Sequence, residues 1–128
     1  MFLGLRTIIY PAPDLDASKA WFASILGTAP YFDEPFYVGF QVDGYELALD
    51  PSGDPEIGPI TYWGVADADT AFADLVGAGA EPHGEVRDVG DSIRVATVTE
   101  PGGSILGVIE NPHFQLPASR TISDGPGR

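Results

Sequence analysis

The sequence contains no cysteine, which excludes disulfides, zinc–thiolate sites and thiol nucleophiles. Basic side chains are scarce as well. Six Lys and Arg stand against 19 Asp and Glu, the formal net charge is -13, and Lys19 is the only lysine. Binding to a phosphate backbone needs clustered Lys and Arg, so nucleic acid is not an expected partner. There are only two histidines, His83 in a Pro-His-Gly segment and His113 near the C-terminus. Both read as surface residues, and neither stands where a Ser-His-Asp triad would need one. No apolar run approaches the ~20 residues of a membrane span. Met1 to Arg6 lacks a basic segment leading into a long apolar run. The expectation is therefore a cytoplasmic protein with no membrane partner. Gly102-Gly103 belongs to a hairpin rather than a strand-to-helix turn, so there is no phosphate loop and no cofactor is called for.

What is present points to one domain. A chain of 128 residues can bury a core without staples. Its acidity attracts cationic ligands at long range, although an acidic surface also serves solubility alone. Two segments share a plan. Ile8-Ile9-Tyr10-Pro11-Ala12-Pro13-Asp14-Leu15-Asp16 and Thr61-Tyr62-Trp63-Gly64-Val65-Ala66-Asp67-Ala68-Asp69 are each a short apolar strand followed by an Asp-x-Asp. The aspartate is a natural helix N-cap, and apolar residues at helical spacing follow both times. The predicted first module (1–50) has strand 3–10, helix 15–26, a weak strand 28–33, and strands 36–42 and 45–50. The second (60–111) has strand 60–66, helix 68–78, and strands 82–88, 92–99 and 104–110. Residues 51–59 link them, and 112–128 form a polar tail rich in Pro, Gly and Ser. Asp43-Gly44 is a two-residue hairpin signal. It sets Phe40 opposite Leu47 and Val38 opposite Leu49 on an apolar, helix-packed face. Tyr37, Gln41, Glu46 and Asp50 then share the opposite face, which suggests a ligand surface.

The run Tyr10 to Phe22 resembles the first strand and helix of the vicinal oxygen chelate superfamily, which includes glyoxalase I, bleomycin-resistance proteins and extradiol dioxygenases. The run Ile93 to Ser104, with its Glu100-Pro101-Gly102-Gly103 turn, resembles that family's closing hairpin. The resemblance spans roughly residues 3–111 and implies an α+β fold: two βαβββ modules whose curved mixed sheets surround a shared cleft. Metal-dependent members carry His or Gln, Glu, His and Glu at four strand positions. By register these fall on Thr7, near Ala48 with Glu46 two residues away, on Ile60 and on Gly107. Apart from Glu46 this set offers no donor suited to Zn²⁺, Ni²⁺ or Fe²⁺, so a metal-free member is expected.

The chemistry that remains is modest. Glu46 and Asp50 point into the expected cleft, where paired carboxylates do acid/base work, bind a cation, or sit at a solvated rim. Tyr37 and Tyr62 offer flat faces for stacking. The expected ligand-binding set is Thr7, Tyr37, Gln41, Glu46, Asp50, Ile60, Tyr62 and Gly107, with no metal ligands. By the same parity Trp63 is expected under the second helix, and Trp21 on a helix surface or interface. Three functions compete: a metal-independent protein that binds and sequesters a small cationic or aromatic molecule; a metal-independent isomerase or lyase with a cleft carboxylate as base; and a protein-binding module with a vestigial cleft. The resemblance further implies a homodimer.

Overall fold

The computed structural model describes residues 1–114. Of the tail expected from residue 112, only 112–114 fall within that range; the rest lies outside the described residues. β1 (Gly4–Pro11), α1 (Leu15–Leu26), β2 (Phe32–Glu34), β3 (Tyr37–Val42) and β4 (Tyr45–Asp50) make the first repeat. β5 (Ile60–Gly64), α2 (Ala68–Gly77), β6 (Glu81–Pro82), β7 (Arg87–Asp88), β8 (Arg94–Thr99) and β9 (Ile105–Glu110) make the second. The strands join in one nine-stranded mixed sheet, ordered β2-β3-β4-β1-β5-β9-β8-β6, with β7 also paired to β8. The repeats meet where β1 and β5 run antiparallel, Ile8 opposite Thr61. The equivalent strands β4 and β9 flank that seam in parallel pairing.

Local chemistry explains both helices. The Asp14 side chain accepts the Ala17 amide, and Gly27, in the left-handed region at φ 71°, returns its N–H to the Ala23 carbonyl. Asp67 accepts the Asp69 and Thr70 amides. Glu110 on β9 also accepts the Ala68 amide at 2.9 Å, which ties α2 to the sheet. Each helix covers its own cluster. Leu15, Phe22 and Leu26 pack on Val38, Phe40 and Leu49, while Phe72 and Leu75 pack on Val65, Ala96 and Val108. Ile25 and Val76, at the flanks of the stripes, are exposed. Among the described residues no helix is long and apolar enough to cross a membrane.

The hairpin register is the expected one, with Phe40 opposite Leu47 and Gln41 opposite Glu46. Other expectations need correction. The strand expected over 82–88 breaks into β6 and β7, because Pro82 has no N–H to give and Gly84 takes φ 133°. The weak strand shifts to Phe32–Glu34. Trp63 does turn from the cleft, but it stacks on Phe2 at 5.4 Å rather than joining the cluster beneath α2.

Candidate functional site

The concave face holds a cavity of about 650 Å³. Its polar centre is Glu46. The carboxylate accepts hydrogen bonds from Thr7 Oγ1 at 3.1 Å, from Tyr37 Oη at 2.9 Å and from Tyr31 Oη. β1 lies beside β4 with Thr7 level with Glu46. Tyr31 arrives from the loop before β2, its amide bound to the Gly39 carbonyl at 2.9 Å. Gly39 is where the chain makes room, since a Cβ there would stand 2.6 Å from Glu46 Oε2. Burial, and then the carboxylate alongside, push the Tyr31 and Tyr37 phenols well above their usual range.

Asp50, at the end of β4, accepts the Ser52 amide at 2.9 Å and the Ser52 hydroxyl at 2.7 Å. Burial raises the Tyr62 phenol; nearby Arg87 opposes that rise and Asp50 adds to it. Arg6 enters the cavity through an irregularity in β1. Leu5 faces Trp63 and Thr7 faces Tyr62, so Arg6 is the extra residue of a bulge. Its guanidinium lies against Gly64 and 3.7 Å from the centre of the Phe114 ring. Burial lowers its pKa.

Of the expected site residues, Thr7, Tyr37, Gln41, Glu46, Asp50 and Tyr62 line this cavity. Ile60 and Gly107 do not. Ile60 borders a neighbouring recess of about 80 Å³. Gly107 lies beneath the Tyr62 ring, where a Cβ would meet Cδ2 at 2.5 Å. Sequence reasoning missed Arg6, Tyr31, Arg87 and Phe114. The available signal was the in-strand glycines, because Gly39, Gly64 and Gly107 each admit a site side chain. Among the described lining residues Arg6 and Arg87 stand beside Glu46 and Asp50, two charges of each sign.

The four carried-over metal positions do not form one row. Thr7 stands level with Glu46 and Tyr62, and Tyr62 with Gly107. Ala48 and Ile60 both lie across from Ile9, in the next row. Together the two rows offer one carboxylate and no imidazole. Among the described residues no three His, Cys, Asp or Glu stand close enough to hold a metal ion. The donor set does not fit a transition metal. His83 and His113 lie outside the cavity lining: His83 Nδ1 is 3.0 Å from Thr97 Oγ1, and His113 Nε2 is 2.9 Å from the Asp91 carbonyl.

A sheet of paired repeats around a concave, ligand-sized site defines a glyoxalase-like protein. Residues 4–108 match the model of the Glyoxalase/Bleomycin resistance protein/Dioxygenase superfamily, and the chain belongs to that superfamily. A Streptomyces coelicolor methylmalonyl-CoA epimerase in complex with 2-nitronate-propionyl-CoA is 16% identical, with a TM-score of 0.72, over 88% of this chain and 99% of that one. A superfamily member from Vibrio splendidus 12B01 is 19% identical with a TM-score of 0.64, over 84% and 99%. The Mn(II)-bound glyoxalase of Novosphingobium aromaticivorans is 18% identical with a TM-score of 0.66; the match covers 85% of this chain but 39% of that longer one. At these identities the likeness is one of fold. No curated protein matches the sequence.

Proposed function

We propose that this protein binds a small organic molecule with an aromatic or extended apolar part, and does so without a metal ion. The observation that carries this reading is the row Glu46–Thr7–Tyr62–Gly107, with one carboxylate where a metal centre needs several donors. Three hydroxyls already engage that carboxylate. The cavity volume of about 650 Å³ falls within the range of roughly 300–1,000 Å³ usual for small-molecule pockets. Tyr37, Tyr62 and Phe36 give it stacking faces. Its own side chains leave it open, which counts against a vestigial cleft. Elemental analysis after mild chelation is the test. Less than stoichiometric metal is expected, and about one Zn, Ni, Fe or Mn per chain would overturn the reading.

The Glu46 cluster favours a second reading. A carboxylate flanked by the two phenols Tyr31 and Tyr37 is also a set for moving a proton to and from a bound ligand. An isomerase or lyase of this kind would turn over candidate substrates in chelator and lose that turnover in Glu46→Gln. Binding without product marks the first reading.

A further inference from the structure

We propose that the ligand is an organic anion, its carboxylate, sulfonate or phosphate head received by Arg6 and Arg87 over a floor of Val95 and Ile109. This rests on the small-molecule reading above and names the class of molecule. The described basic side chains are Arg6, Lys19, Arg87 and Arg94. The two outside the cavity are paired, Lys19 with Asp33 at 3.1 Å and Arg94 with Asp69. The two inside it have neither an ion-pair nor a hydrogen-bond partner among the described residues. In a chain with 19 acidic residues carboxylate partners are plentiful, so two arginines in one cavity without a counter-ion among the described residues are a specific feature. Glu46 and Asp50 line the same walls, yet they turn to hydroxyls and a backbone amide.

The sheet register brings the two arginines to one end of the cavity. Arg87 stands opposite Val95, Val95 opposite Ile109, and Ile109 beside Gly64. Arg6 reaches from β1 across Gly64, whose missing Cβ leaves the space; a Cβ would lie 2.6 Å from Arg6 Nε. Three strand spacings, ~14 Å of backbone, separate Arg87 from Gly64, and both arginines line the cavity. A partly buried guanidinium without a counter-ion is a costly arrangement. The Phe114 ring offsets part of that cost. A ligand anion would complete it through the planar fork that suits carboxylate, sulfonate and phosphate oxygens. The net charge of -13 repels anions at long range, so any preference for an anion must come from this pair.

The test is fluorescence titration of the full chain with 8-anilinonaphthalene-1-sulfonate and with neutral N-phenyl-1-naphthylamine, which has the same rings without the sulfonate. The sulfonate is expected to bind about tenfold more tightly. Arg6→Met and Arg87→Met, which keep most of the apolar stem, should each reduce the preference several-fold, and together remove it. Circular-dichroism melting of each variant checks the fold; should Arg6→Met unfold, Arg87→Met on its exposed strand still decides. Equal or weaker binding of the sulfonate to the unaltered protein, or a preference that survives the double substitution, would overturn the anion assignment alone. Failure of both probes to bind would overturn the small-molecule reading with it.

Discussion

Thr7, Tyr31 and Tyr37 all donate to one carboxylate, so replacing Glu46 with leucine strands three donors at once. Glu46→Leu should cost about 1–3 kcal/mol, the usual penalty for unsatisfied polar groups. Glu46→Gln keeps an acceptor and should cost less, and Tyr37→Phe about 0.5–1.5 kcal/mol. Urea denaturation measures all three, and equal midpoints would show the cluster to be energetically idle. The same phenols set an alkaline limit. Tyr31 and Tyr37 are raised from 10.0 in the folded chain, whereas unfolded tyrosines ionise near pH ~10. Their contribution is therefore complete below about pH 10 and falls as pH rises, because the unfolded state alone then releases protons. Urea midpoints should decline above about pH 10, less steeply in Tyr37→Phe. A flat profile would contradict the raised values. At this scale the sequence was half legible. Alternation along the hairpin turned Tyr37, Gln41, Glu46 and Asp50 inward, but nothing local announced that Tyr31 would reach Glu46 from a loop.

Both helices carry aspartate caps, and they differ in redundancy. Asp14 is the side-chain cap of α1, whereas α2 has Asp67 and also Glu110 from β9. Asp14→Ala should cost about 1 kcal/mol, near the middle of the capping range, and Asp67→Ala less because Glu110 still holds the Ala68 amide. Chemical denaturation of both variants checks the order, and a larger loss at Asp67 would reverse it. These elements were legible because their causes are local: a cap, a helical stripe and an Asp-Gly turn within a few residues. β6 and β7 were not, since strands of two residues each exist through pairing with β8.

On the scale of the whole molecule, the sheet ends at β2 on one side and β6 on the other, and open edges are usually covered. Trp21, Ile25 and Phe36 are 59%, 56% and 66% exposed. We expect two chains to pair in solution. Light scattering at micromolar concentration should give twice the chain mass, and a 13.5 kDa species would contradict it. Substituting Trp21 and Ile25 on α1 with serine should weaken that pairing. Net charge acts at this scale too, but as a field that a pair of local arginines is able to overrule.

The paired repeats, the helix ends, the central hairpin and the poverty of metal donors follow from the order of residues, because each depends on neighbours within a few positions or on residue type alone. The row that sets Glu46 beside Thr7 and Tyr62, and leaves Ala48 and Ile60 in the next, depends on how β1 meets β4 and β5. The inward turn of Arg6 depends on a bulge against Trp63 and Tyr62. Strict alternation would have aimed Arg6 at the helices. Strand register and bulges are settled by partners about 40 to 60 positions away along the chain, which is why the positive end of the cavity emerged only once the sheet was assembled.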